Sequence, residues 1–103
     1  IDVAEASLPS EYRMRQNYPN PFNPATTIEF SVPEGHRGVV SVRIYNMLGQ
    51  LVRELENREI GPGVYRKTWD GLDEQGRRAA SGVYIYRMQA GALTAARNLV
   101  MIK

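Results

Sequence analysis

Residues with catalytic potential are few and widely spaced in this chain. Its one histidine, His36, sits in a polar stretch beside Arg37, and there is no cysteine. A histidine-centred triad would need a nucleophile and an orienting acid from distant elements, and no local pattern marks either. A solvated turn histidine is the simpler reading, because a catalytic site needs converging groups. Glu54 and Glu56 stand two apart, which places both carboxylates on one face of a strand, and without a pocket pattern around them they read as a solvated face. The run Asp70-Gly71-Leu72-Asp73-Glu74-Gln75-Gly76 collects the carboxylates and glycine turns that hard cations favour. A calcium loop opening at Asp70 would need Asp or Asn in place of Leu72 and Gly in place of Gln75, so the spacing fails. Asp70 is expected to accept backbone N–H groups within its own turn. These readings assign no catalytic residue, no metal ligand and no cofactor.

Aromatic residues offer a different chemistry. Tyr45, Tyr65, Trp69, Tyr84 and Tyr86 could form a platform on which sugar rings stack, as in a carbohydrate-binding module. Alternation along the chain also turns Trp69, Tyr84 and Tyr86 inward, where a sandwich needs large rings. Core and platform differ in one observable, the exposure of Trp69.

The elements that must position these residues are strands. Gln16-Asn17-Tyr18-Pro19-Asn20-Pro21-Phe22-Asn23-Pro24 excludes a helix and a central strand, because each proline fixes φ, lacks a donor and biases its predecessor to extended geometry. It reads as a stiff strap that lays Tyr18 and Phe22 onto an apolar surface. Thr26 to Val32 alternates with Ile28, Phe30 and Val32 on one face; Val39 to Tyr45 does so with Val40, Val42 and Ile44. Gly49 falls where a tight turn needs positive φ, and Gln50 to Glu56 mixes the two periods, which predicts a bulged strand. Val64 to Trp69 puts Lys67 on the face of Tyr65 and Trp69, so Lys67 must snorkel or stand near an edge. Asp70 to Ser81 is turn chemistry. Val83 to Met88 alternates again, and Leu93 to Lys103 ends with Leu99 and Met101 on one face and Val100 and Ile102 on the other. Short strands at this spacing indicate an all-β, Ig-like antiparallel β-sandwich of about seven strands.

A length of 103 residues suits one domain able to bury a core without disulfides. Lysine and arginine exceed acidic residues by a net charge of +2 and are scattered, so no nucleic-acid partner is expected. No apolar run reaches the roughly 20 residues that span a bilayer. Ile1 to Ser7 carries neither period and reads as a linker from an upstream domain, with the module running from Leu8 to Lys103. The opening at Ile1 suggests a piece of a longer chain.

Five blocks, in order, resemble a known family. They are Asn17-Tyr18-Pro19-Asn20-Pro21-Phe22-Asn23-Pro24 with Ala25 to Ile28, then Ile44-Tyr45-Asn46-Met47-Leu48-Gly49-Gln50-Leu51-Val52, Trp69-Asp70-Gly71, Ala80-Ser81-Gly82-Val83-Tyr84-Ile85-Tyr86, and Leu99-Val100-Met101-Ile102-Lys103. Together they look like the type A C-terminal sorting domain of proteins exported by the type IX secretion system of Bacteroidetes, and also like the Ig-like domain of flagellar hook-capping proteins. The resemblance implies a non-catalytic Ig-like module that takes an upstream cargo domain across the outer membrane to the cell surface. It implies as partners the secretion machinery with its surface processing components, and surface lipopolysaccharide where cleaved cargo is attached and not released. Asn17, Pro19, Pro21, Phe22, Asn23, Pro24, Gly49, Trp69, Asp70, Gly71, Ser81, Gly82 and Tyr84 would be its structural positions, and Leu99 to Lys103 its recognition signal. Lys67 departs from the family pattern, which has an apolar residue there, and Arg97-Asn98 replaces a lysine-rich pair. A sugar-binding or spacer module of the same architecture is the alternative.

Overall fold

In the computed structural model, which describes residues 9–102, seven strands form two antiparallel sheets. The strands are β1 (Arg13–Met14), β2 (Thr26–Val32), β3 (Val39–Tyr45), β4 (Leu51–Glu59), β5 (Gly63–Trp69), β6 (Gly82–Ala90) and β7 (Leu93–Met101). One sheet has the order β1-β2-β5 and the other β4-β3-β6-β7. The sandwich thus has two seams, one where β1 lies over β7 and one where β5 lies over β4. The expected linker over Ile1 to Ser7 falls outside the described residues, as does Lys103.

Alternation decides which residues meet between the sheets. Ile28, Phe30 and Val32 from β2 face Val40, Val42 and Ile44 from β3, with Tyr84, Tyr86 and Met88 from β6 and Leu99 and Met101 from β7 completing the core. β2 and β3 keep the sequence-derived bounds, whereas β4, β5 and β6 run longer and the two-residue β1 carries too little pattern to be recognised.

The bulge expected in β4 occurs twice, at Val52 and at Leu55, and the second corrects the reading of the paired glutamates. Arg43 stands opposite Glu54 and Val42 opposite Glu56, so Leu55 is an extra residue in the ladder. That insertion breaks the two-residue period. Glu54 stays on the outer face with Arg43, its oxygen 2.7 Å from Arg43 Nε. Glu56 turns inward beside Val42 and is almost fully buried. The two carboxylates therefore do not share a solvated face.

Candidate functional site

Four of the five resemblance blocks, far apart in sequence, meet at the seam between β1 and β7; the block from Ile44 to Val52 forms the β3–β4 hairpin instead. The strap begins on one sheet and ends on the other. Tyr18 exchanges backbone hydrogen bonds with Thr27 of β2, at 3.0 and 2.9 Å. Four residues later Phe22 N–H donates to Val100 O of β7 at 2.9 Å, and Ile102 N–H donates to Phe22 O at 3.0 Å. The prolines between them cost no bonds there, because the residues that pair are not prolines. Side chains extend the contact: Asn20 Oδ1 accepts from Val100 N–H at 2.9 Å, Gln16 Nε2 donates to Asn98 O at 2.7 Å, and Arg97 Nε donates to Met14 O at 2.7 Å. The outer edge of β7 from Asn98 to Ile102 is thus covered.

Asn17 organises the turn into the strap. Its buried amide donates to Pro19 O and to Thr26 Oγ1, at 3.1 and 2.9 Å, and its N–H donates to the Tyr86 hydroxyl at 2.9 Å. That hydroxyl donates in turn to Arg15 O at 2.7 Å, so the buried phenol is satisfied on both sides. Burial raises the Tyr86 pKa, with the Asn17 N–H opposing it. Phe22 is buried with its ring centroid 5.5 Å from that of Trp69, and Trp69 lies 5.4 Å from Tyr84 edge to face. Trp69 Nε1–H donates to Leu72 O at 2.9 Å, and the Tyr84 hydroxyl donates to Ala80 O. Gly71 completes the packing. It adopts φ +82°, and a Cβ there would meet Pro24 O at 2.9 Å and Met101 Cε at 3.0 Å.

One expectation for the strap is overturned: Tyr18 is 80% exposed. Tyr18 is the cross-strand partner of Thr27, whose side chain meets Thr68 on the outer face of the sheet, so the Tyr18 ring shares that outer face while its backbone does the pairing. Pro19, Pro21, Asn23 and Pro24 are exposed spacers on the strap; Ser81 and Gly82 lie exposed at the start of β6, and Gly49 turns the β3–β4 hairpin at φ +82°.

The other candidate chemistry is distributed. His36 Nδ1 accepts from the Tyr12 hydroxyl at 2.7 Å and its Nε2–H donates to Gly38 O at 3.0 Å, which holds the ring inside its own loop. Asp70 Oδ1 accepts from Leu72 N–H and from Arg53 Nη1, both at 3.0 Å. Asp73 Oδ1 accepts from Gln75 and Arg77 N–H, both at 2.9 Å, and its carboxyl is held below its ordinary pKa, chiefly by the Arg77 N–H. Both acids close turns. The five rings of the supposed sugar platform separate: Trp69, Tyr84 and Tyr86 are core, Tyr65 stacks on Phe30 at 5.5 Å, and Tyr45 lies on the outer face of the four-stranded sheet under Arg87. Sandwich packing claims large rings first, so these five make no common surface.

At the opposite seam, Lys67 explains its own departure from the family pattern. Its Nζ lies 2.9 Å from Glu56 Oε1, off the direction of a good hydrogen bond, and Arg58 Nε donates to Glu56 Oε2 at 2.8 Å. Burial raises the Glu56 pKa, but the two cations outweigh it and hold the carboxyl below its ordinary value. An inward lysine needing a counter-charge is the one signal in the sequence that could have found Glu56.

The chain's two-sheet architecture recurs in solved structures. Dimeric latent PorU from Porphyromonas gingivalis matches 91% of this chain with a TM-score of 0.68 at 20% identity, over 10% of its own length. PorZ, described as an essential bacterial surface component of the type IX secretion system of the same organism, matches 95% with a TM-score of 0.58 at 23% identity, over 12% of its length. FlgD from Xanthomonas campestris, described as a hook-capping protein of flagellar assembly, matches 95% with a TM-score of 0.57 at 20% identity, over 72% of its length. The chain therefore spans only about a tenth of each of the first two proteins. No curated protein sequence shows significant similarity to it. The family pattern described as the FlgD Ig-like domain runs through residues 20–93, from the strap across β2 to β6 as far as the first residue of β7, and the chain belongs to that family.

Proposed function

We propose that this domain is a non-catalytic sorting module of type A, which directs an upstream cargo domain of the same protein through the type IX secretion system to the cell surface. The observation that carries the reading is the convergence at the strap seam. Asn17, Phe22, Trp69, Gly71 and Tyr84, drawn from three of the resemblance blocks, pack as one unit against Leu99 to Met101 of a fourth. A generic Ig-like sandwich needs a core, but it does not need that set of residues to hold the last strand. The likeness to part of PorZ supports the same direction. In this reading Leu99 to Lys103 is the recognition signal, the machinery and its surface processing components are the partners, and the protein passes through the periplasm to the surface or beyond, where cleaved cargo is joined to lipopolysaccharide or released.

The test fuses the chain behind a reporter carrying an export signal, in a host with the type IX apparatus. Three ends are compared: native, lacking the last six residues, and native followed by a short Gly-Ser tail. The native form should reach the surface. The tailed form should melt as the native does and collect in the periplasm. A native fusion that folds but stays in the periplasm would overturn the sorting reading in favour of a spacer module.

A further inference from the structure

We propose that the outer face of the four-stranded sheet, at the end where β7 finishes, is the surface by which a folded protein of the export machinery grips this domain; the inference rests on the sorting reading. Two features of the seam lead there. A partner cannot add a strand beside Asn98 to Ile102, because the strap already occupies the outward backbone groups of Asn98, Val100 and Ile102. The inward side chains, Leu99 and Met101, are buried. What β7 leaves accessible at this end is its outward face, Val100 and Ile102.

That face continues into an apolar patch. Val83 is the cross-strand partner of Val100, Ile85 that of Tyr45, and Tyr45 that of Leu51, so these side chains form adjoining rows on one face. The turn joining β3 to β4 adds Met47 and Leu48 at the level of Val83. Of nine exposed large apolar side chains among the described residues, five are Met47, Leu48, Leu51, Val83 and Ile102, all at this end, with Leu48 83% and Ile102 48% exposed. The outer face of the other sheet is different: there Glu29 pairs with both Arg15 and Arg66, and Thr27 with Thr68. Isolated exposed apolar residues need no explanation, whereas a gathered patch on one face does.

Charge selects the occupant. Arg87, over the Tyr45 ring at 4.6 Å, and Arg78, which lines the same hollow as Leu51, form no ion pair among the described residues; of the acids of this region Glu54, Asp70 and Asp73 are paired with arginines, and Glu74, which accepts from Glu54 N–H, is the one without an ion-pair partner, so the two arginines outnumber it. The margin is therefore positive, and the matching surface is apolar with acidic groups at its rim. A second copy of this chain would bring Arg87 towards a like charge. An anionic membrane is matched by a denser cationic belt than two arginines.

The experiment uses the same reporter fusion. Leu48→Ser, Leu51→Thr and Val83→Thr are combined, leaving β7 and the strap untouched in sequence. Val39→Thr, Val64→Thr and Leu93→Thr, exposed apolar residues elsewhere, form the matched control. Export of the first variant should fall at least tenfold with its melting curve retained, while the control stays within about twofold of native. Arg87→Glu alone should also lower export severalfold, and it provides the reading if the triple variant does not fold. If the triple variant, or Arg87→Glu in its place, is exported like native while the tailed form is retained, this surface is not the grip and the sorting reading stands. If the native fusion itself is not exported, the sorting reading falls and this inference with it. A native domain that elutes as a dimer which the triple variant dissolves, or that floats with vesicles of phosphatidylethanolamine and phosphatidylglycerol, would also overturn the proposed occupant.

Discussion

Along the seam between β1 and β7 the sandwich is closed by backbone, with the strap exchanging hydrogen bonds first with β2 and then with β7 and dropping Phe22 into the core between them. Along the seam between β4 and β5 the side chains close ionically, Lys67 with Glu56 backed by Arg58 and, just past the end of β5, Arg53 with Asp70. The difference teaches which part of the domain is built to keep its shape. Backbone pairing with a buried ring is directional and indifferent to pH and salt. A buried ion pair must offset the desolvation of both charges, so it adds little net stability and becomes costly when one partner is lost. The strap seam, which holds the proposed recognition strand, is closed by the sturdier means.

The largest expected effect comes from breaking the strap seam at its anchor. Phe22→Ala removes a fully buried ring from contact with Trp69 and leaves a cavity under β7, for an expected loss of about 3–5 kcal/mol. Chemical denaturation measures it. A loss below about 1 kcal/mol would mean that backbone pairing alone closes this seam and the ring is incidental.

Gly71→Ala tests the same seam from the opposite side. The substitution forces a non-glycine residue into positive φ, which costs about 1–3 kcal/mol, and it pushes a methyl against Pro24 O and Met101 Cε. Because Met101 sits on a flexible side chain and Pro24 O does not, the strap should move. Amide exchange at Ile102, whose N–H donates to Phe22 O, should speed up more than exchange at the centre of β6. Equal acceleration everywhere would show that Gly71 supports the whole fold and not this seam.

The two seams were not equally legible in the sequence. Strand periods placed β2 and β3 to the residue and gave the core faces of β6 and β7, because alternation is a direct image of two packed sheets. The strap's stiffness was readable from its prolines, and its edge partner was not, since nothing in Asn20-Pro21-Phe22 says which strand lies alongside. Tyr18 is misread for a related reason: its ring follows the outer face of its partner Thr27, and nothing in the strap names that partner. The Glu56 error has a sharper cause. One bulged residue, Leu55, reverses the face of everything after it in β4, and a mixed period announces a bulge without saying where it falls. At the candidate site, the motif residues were readable one by one and their convergence was not, because it depends on β7 and the strap being neighbours across the seam.

A smaller effect is expected at the ionic seam, and it takes two substitutions to see it. Lys67→Met leaves the buried Glu56 carboxylate with Arg58 as its one ion-pair partner, and should cost about 1–3 kcal/mol. Adding Glu56→Leu should recover that loss to within about 1 kcal/mol of native, because a well-packed apolar pair commonly equals a buried ion pair. A double-mutant cycle on the four proteins gives the coupling. If the double variant is less stable than the single, the pair is a net source of stability and the contrast between seams is weaker than drawn.

The smallest effect, and the one that most sharpens the contrast, is with pH. The folded Glu56 carboxyl titrates below its unfolded value, since Lys67 and Arg58 favour the charged form by more than burial disfavours it. A depressed carboxyl contributes stability that is fully present above the unfolded carboxylate range, near pH 4.3, and is lost as pH falls through the lower folded value. Asp73 has the same sign, through the N–H groups of Arg77 and Gln75, so acid destabilisation of the native domain contains both. Glu56→Gln separates them. It keeps the shape of the side chain, removes its charge, and leaves the Asp73 turn and the strap seam intact. At pH 7 the native domain should melt above Glu56→Gln; as pH is lowered past about 4.3 the two curves should converge, because the protonated glutamic acid and the glutamine are then alike to Lys67. Phe22→Ala, which lies in the other seam, should instead stay below native by the same margin across that range. If the gap between native and Glu56→Gln does not narrow in acid, the charge on Glu56 is not what holds Lys67 across the β4–β5 seam, and that seam is closed by packing as the other one is.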